Sequence, residues 1–269
     1  MSKIFDYQNF LSKLNESSNP DSHLLGKIDY TLLKPEATED QILELCEKAD
    51  ILGVKSVCVL PKMVKVAAEA LEDSDVLVCT VISFPEGTNT PEQKLSETKM
   101  VIADGADEVD MVLNYLDLKQ GMINQDDFQN IYEMLVEEVT MLVQECHNHT
   151  NKDNESIILK VIVESSCLDE DETEQSTHIC LDAGADFIKT STGMMTPNGK
   201  TGVAELDKVQ IMKKTIDESG SEMKIKASGG IKTMGDLQKF DSLVDRFGVG
   251  FSAVDSIFGS DDKAVGDGY

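Results

Sequence analysis

Among its 269 residues the chain has no tryptophan and a single arginine, Arg246. Lysine and arginine together number 24 against 50 acidic residues, for a formal charge of −26. A surface with that balance repels nucleic acid and anionic lipid, so neither is an expected partner. No apolar stretch approaches the roughly 18–20 residues that cross a bilayer. The opening "MSKIFDYQNF" lacks both the apolar core of a secretion signal and the bias of a transit peptide. Six cysteines, at 46, 58, 79, 146, 167 and 180, fall into no CxxC spacing and pair with no histidine in a zinc pattern. Several lie in apolar runs such as "SVCVL" and "VLVCTV", where a thiol packs as a small hydrophobe. The expectation is a soluble cytoplasmic protein with free thiols and no bound metal or other cofactor.

The chain does contain short apolar runs alternating with longer amphipathic stretches. The runs are "KIDYTLL" (27–33), "SVCVL" (56–60), "VLVCTVISF" (76–84), "EVDMVLN" (108–114), "IILKVIVE" (157–164), "FIKTST" (187–192), "KIKASG" (224–229) and "FGVGF" (247–251). Between them, 39–53, 62–72, 91–104, 126–147, 170–183, 203–219 and 234–243 read as helices. Eight strands alternating with helices, over about 250 residues, fit one (β/α)8 barrel of the TIM type. The Val/Ile/Leu-rich strands suit a parallel sheet covered on both faces. A doubly wound open sheet is the competitor, but no GxGxxG follows the first strand and no phosphate-loop motif occurs. A leading helix is expected over 4–14, within an N-terminal extension of residues 1–23. Residues 259–269, "GSDDKAVGDGY", read as a flexible tail on a single domain.

Three of the apolar runs carry a lysine near their middle: Lys160, Lys189 and Lys226. A barrel strand points alternate side chains inward, and the C-terminal rim of the interior is where barrel enzymes place reacting groups. One such lysine is most simply a packed stem reaching a carboxylate; three on neighbouring strands point to chemistry. A lysine amine attacks a carbonyl only when unprotonated, and desolvation or a neighbouring cation favours that form. One lysine as nucleophile beside a second as activator is therefore a recipe for a Schiff base, whose iminium serves as an electron sink for breaking or forming an adjacent carbon–carbon bond. Asp110, central in "EVDMV", is the candidate proton relay and the counter-ion to these lysines. "SGGIKT" (228–233) and "FGVGFS" (247–252) follow the last two strands, where barrels often hold phosphate. Gly229, Gly230, Gly248 and Gly250 would let backbone N–H groups approach an anion there.

Six segments, "IDYTLLKPEAT" (28–38), "SVCVLP" (56–61), "GADEVDMV" (105–112), "LKVIVE" (159–164), "GADFIKTSTG" (184–193) and "KASGGIK" (226–232), together resemble the deoxyribose-phosphate aldolase family of Schiff-base aldolases. The resemblance runs from about residue 24 to the C-terminus. It implies a (β/α)8 barrel that reversibly cleaves 2-deoxy-D-ribose 5-phosphate to D-glyceraldehyde 3-phosphate and acetaldehyde without a metal, and makes a homodimer plausible. Lys189 would be the nucleophile, Lys226 the neighbouring cation, and Asp110 the relay in a network with Lys160. Asp29, Thr31 and Cys58 match pocket positions. Thr192 and Gly193 match positions before the phosphate end, and Gly229, Gly230 and Gly248 match backbone phosphate donors. Tyr269 matches a terminal tyrosine that, in some members, helps move a proton at the enamine carbon.

The chain departs from the family at Met194, where many members carry a lysine, and at Gly250 and Phe251, which align with a serine pair; Ser252 could serve after a one-residue shift. These departures touch phosphate recognition and leave the carbonyl chemistry intact. Lys200 and Lys232 are candidate compensating cations. Two other readings remain open at this point: a Schiff-base aldolase for another, non-phosphorylated aldehyde or ketose, and a barrel that has lost catalysis and serves as a binding protein.

Overall fold

The computed structural model describes residues 22–258. The expected leading helix, the 259–269 tail and Tyr269 lie outside them. Eight strands pair in parallel and in chain order, with the first closing on the last: β1 (Ile28–Leu32), β2 (Ser56–Val59), β3 (Leu77–Ile82), β4 (Glu108–Val112), β5 (Ile158–Ile162), β6 (Phe187–Lys189), β7 (Lys224–Ser228) and β8 (Arg246–Gly250). All eight expected strands are present in a closed barrel.

The helices are α1 (Glu39–Leu52), α2 (Val64–Ala70), α3 (Pro91–Ala103), α4 (Tyr115–Ile123), α5 (Phe128–His147), α6 (Glu170–Asp182), α7 (Leu206–Ser219), α8 (Met234–Phe240) and α9 (Phe251–Phe258). Four begin with reciprocal caps: Thr38 with Gln41, Thr90 with Gln93, Asp169 with Glu172 and Thr233 with Asp236. Each such box satisfies two backbone donors that the first helical turn leaves without partners. Two helices differ from the sequence expectation. α4 has a short, weakly amphipathic sequence, which gives little periodic signal. Phe251, read as the end of the last strand, instead starts α9, where its ring packs against Tyr30 at 5.4 Å between centroids and its carbonyl accepts from the Tyr30 hydroxyl.

Strand alternation sorts the barrel into two environments. Tyr30, Val57, Val78, Val109, Leu159, Ile188, Ile225 and Phe247 face outward into one continuous core with the helices. Their inward neighbours are of a different kind. On β2 and β3 they include Cys58, Cys79 and Val81, which form a small separate apolar cluster with Leu33. On the other strands they include Asp29, Glu108, Asp110, Lys160, Lys189, Lys226 and Arg246, all buried. The interior is thus divided into an apolar wall and a charged one.

Candidate active site

The register of β4 to β8 decides which charged side chains meet. Asp110 pairs with Lys160 across β4 and β5, Lys189 with Lys226 across β6 and β7, and Lys226 with Arg246 across β7 and β8. Directly paired residues on neighbouring strands share a face, so these side chains converge inside the barrel. Asp110 is their common acceptor. Its Oδ2 receives Lys189 and Lys226 Nζ, each at 2.7 Å, and its Oδ1 receives Lys160 Nζ at 2.9 Å. The three lysines and the aspartate singled out in the sequence therefore form one contiguous network.

Below this level lies a second set of partners that the sequence did not disclose. Lys226 Nζ is 2.5 Å from Asp29 Oδ2, and Lys160 Nζ is 2.7 Å from Glu108 Oε2. Arg246 bridges both carboxylates, bonding Asp29 through Nη1 and reaching Glu108 Oε1 at 2.5 Å through Nη2. Ser56 donates to Asp29 Oδ1 at 2.8 Å. Burial would push Asp110 up, but Lys160, Lys189 and Lys226 outweigh it and hold the carboxyl well below its usual range. Asp29 and Glu108 are lowered in the same way against their burial, Asp29 chiefly by Arg246 and then Lys226, Glu108 chiefly by Lys160 and then Arg246. Burial would depress Lys160 and Lys226, yet Asp110 and its fellow carboxylates keep both raised, so each stays a cation.

Asp29, matched to a pocket position, belongs to this buried set. It is fully buried and committed to Arg246, Ser56 and Lys226. Thr31 donates to the Asp29 carbonyl at 2.8 Å and is nearly buried. Cys58 pairs with Thr31 and Cys79 on the flanking strands and belongs to the apolar wall. A hydrogen bond from the Cys79 thiol lowers Cys58 against its burial. Met194 packs onto the same wall beside Leu60 and Phe84.

The rim supplies the remaining positions. Thr192 directs its hydroxyl to Glu164 Oε2 at 2.5 Å, and Gly193 turns the chain at φ 80°. Gly229 and Gly230 are consecutive left-handed residues, φ 84° and 76°, after β7. A Cβ on Gly229 would come 2.3 Å from the Gly202 carbonyl oxygen, so only glycine lets these two loops touch. A Cβ on Gly248 would lie 2.8 Å from Ser228 Cβ, so β7 and β8 approach closely there. Gly250 pairs with Thr31 at the last rung of β8, immediately before the N-terminus of α9. In that first turn Ser252 Oγ is buried and makes no hydrogen bond among the described residues. Lys200 is exposed on the turn after Gly199, and Lys232 is half-buried. Glu164, Glu108 and Arg246 were not singled out from the sequence. The occurrence of the one arginine inside a strand was the available signal for Arg246.

Comparison with known proteins agrees with this geometry. Residues 24–246 match the family model described as DeoC/LacD family aldolase. Deoxyribose-phosphate aldolase 1 of Staphylococcus aureus strain MRSA252 is 42% identical over 212 residues, covering 79% of this chain and 85% of its own. Deoxyribose-phosphate aldolase of Staphylococcus carnosus strain TM300 is 40% identical over 218 residues, covering 81% and 86%. The tetrameric deoxyribose phosphate aldolase of Aeropyrum pernix superposes with a TM-score of 0.74 at 27% identity, over 94% of this chain and 97% of that one. A barrel whose interior gathers three lysines on one aspartate, matched over most of its length at this identity, belongs to the DeoC/LacD family of aldolases.

Proposed function

We propose that the protein is a class I aldolase that reversibly cleaves 2-deoxy-D-ribose 5-phosphate to D-glyceraldehyde 3-phosphate and acetaldehyde, with Lys189 as the Schiff-base residue. The observation that carries this reading is the shared acceptor: Lys189 and Lys226 both bond Asp110 Oδ2 at 2.7 Å. The interior holds the carboxylates Asp29, Glu108 and Asp110 against the cations Lys160, Lys226 and Arg246, with Lys189 as one base more. Lys189 has the fewest partners of these four bases: among the described residues it bonds Asp110 alone.

The chemistry follows from these positions. An N–H of Lys189 donated to Asp110 leaves the nitrogen lone pair free for the C1 carbonyl of the open-chain sugar. Addition and loss of water give the iminium. The C3 hydroxyl loses its proton, the C2–C3 electron pair moves to the iminium, and glyceraldehyde 3-phosphate departs. Protonation of the resulting enamine at carbon and hydrolysis release acetaldehyde and restore Lys189. Asp110 with Lys160 supplies the relay through which protons pass. The left-handed pair Gly229–Gly230, the α9 N-terminus and the unbonded Ser252 hydroxyl support binding of the phosphate end. Thr31 and Cys58 would line the pocket as wall groups.

A second reading, a preference for a non-phosphorylated aldehyde, draws on Met194, which packs onto the apolar wall and brings no charge. Turnover of deoxyribose 5-phosphate against free deoxyribose separates the two. The same proposal places the protein in the cytoplasm, supported by six free thiols and by the absence, among the described residues, of a helix long and apolar enough to cross a membrane; a homodimer rests on the family resemblance alone. Borohydride reduction with acetaldehyde followed by mass spectrometry tests the central point. A two-carbon adduct on Lys189 is expected; an unmodified protein would favour a non-catalytic barrel.

A further inference from the structure

Glu164 stands out among the groups this mechanism leaves unused. It lies two residues beyond the end of β5 at Ile162, at the start of the turn that follows the strand. Its side chain is 1% exposed, and its backbone is left-handed, φ 51° and ψ 54°, a conformation disfavoured for a residue with a Cβ. Among the described residues no cation is bonded to it; Ser166 Oγ reaches Oε1 at 3.4 Å, and Thr192 supplies its two closer donors. Thr192 N reaches Oε2 at 3.1 Å and Thr192 Oγ1 reaches the same oxygen at 2.5 Å. Burial raises Glu164, and the charge of Lys189 is near enough to act against that rise. Space for the carboxylate depends on Gly202, where a Cβ would lie 2.1 Å from Oε1.

The consequence falls on Thr192. A hydroxyl has one proton to give and two lone pairs to receive with. The backbone N–H of Thr192 marks Oε2 as an acceptor, so the Thr192 hydroxyl gives that oxygen its proton. Met194 N donates to Thr192 Oγ1 at 3.1 Å and takes one lone pair. One lone pair remains, and it can only accept.

We propose that Glu164 is a positioning residue that fixes the Thr192 hydroxyl as a hydrogen-bond acceptor, so that the site selects an acceptor aldehyde bearing a non-reacting hydroxyl next to its carbonyl. This rests on the aldolase reading above and adds to it a determinant of acceptor choice. A site built to receive a hydroxyl proton rejects an analogue without it, because its own polar group is then left unpaired.

The test measures the aldol direction, with acetaldehyde as donor and two phosphorylated acceptors, D-glyceraldehyde 3-phosphate and 3-phosphonooxypropanal, which lacks the hydroxyl. In the wild-type protein kcat/KM favours the first by roughly tenfold or more. In Glu164→Ala that ratio falls to within about twofold of unity, and in Glu164→Gln, whose amide oxygen still accepts from Thr192, it is retained. Gly202→Ala, which displaces the carboxylate without altering it, lowers the ratio as Glu164→Ala does and serves if that variant fails to fold. An unchanged ratio in the folded Ala variants overturns the assignment. Loss of the ratio in Glu164→Gln overturns it too, since charge and not the direction of the hydrogen bond would then govern selection. Borohydride trapping on the wild-type protein is read alongside: without an adduct on Lys189 the aldolase reading itself fails, whereas an adduct with an unchanged ratio removes only the role of Glu164.

Discussion

Lys189 and Lys226 stand side by side in register on β6 and β7 and donate to one and the same oxygen, Asp110 Oδ2, each at 2.7 Å. That single carboxylate oxygen is shared between the two amines. Lys226 has a second carboxylate, Asp29, at 2.5 Å, and Lys189 does not. The pair is therefore asymmetric, with one member held as a cation and the other placed to react.

Replacing Lys189 by leucine tests that asymmetry. Asp110 keeps Lys160 and Lys226 as partners, and leucine suits a buried strand. Urea unfolding should place Lys189→Leu within about 1 kcal/mol of the wild type. Turnover and borohydride trapping should both vanish. Residual trapping at another lysine would refute the choice of nucleophile.

Lys226→Met should behave differently, because it strips Asp29 and Asp110 of a partner at once. A loss of about 3–5 kcal/mol is expected from leaving buried charge uncompensated. Lys189 also loses the neighbouring ammonium that favours its reactive form, and kcat should fall by about 10²-fold or more. A variant with normal kcat and lowered stability would confine Lys226 to a structural role.

The interior carboxylates also set the acid limit. Asp29, Glu108 and Asp110 have folded pKa values below their unfolded ones. Their contribution is complete above the unfolded values, about 3.9 for Asp and 4.3 for Glu, and is lost as pH falls through the folded ones. Stability should therefore decline from about pH 5 downward, with a smaller slope in Asp110→Asn compared at equal starting stability. Chemical denaturation across pH 2–6 would show it, and identical slopes would remove Asp110 from the account.

Met194→Lys should restore a cation near the expected phosphate end. The lysine stem can keep the methionine's packing against the apolar wall while its ammonium reaches solvent. The preference for deoxyribose 5-phosphate over free deoxyribose should rise by roughly tenfold, the effect of one charge-assisted hydrogen bond. An unchanged preference would indicate that backbone N–H groups and Ser252 already suffice.

Deleting Tyr269, which lies outside the described residues, should slow exchange of the acetaldehyde methyl protons, read by NMR in deuterated buffer, while leaving adduct formation intact. Normal rates for both would exclude the terminal tyrosine from catalysis.

Much of this was legible in the sequence, for identifiable reasons. Parallel strands buried on both faces are continuous apolar runs, so Lys160, Lys189 and Lys226 stood out against them, and the strand period turned those anomalies into an interior site. Asp110 was legible on the same ground. Glu108 was not, because an acidic residue right after "GAD" reads as the polar entry to a strand. Asp29 was matched to the pocket, yet nothing local revealed that it faces Arg246, 217 residues away. Glu164 escaped notice because its significance lies in a left-handed backbone and in a gap left by Gly202, and neither leaves a periodic trace. The start of α9 was missed because Phe251 continues an apolar run across a change of secondary structure.

The burial of Arg246 has a practical consequence. An arginine-specific protease has one cleavage point in this polypeptide, and in the native state that point is 5% exposed and clamped between Asp29 and Glu108. Scission there reports opening of the strand ring itself, so the fragment yield is a direct count of molecules whose barrel has come apart.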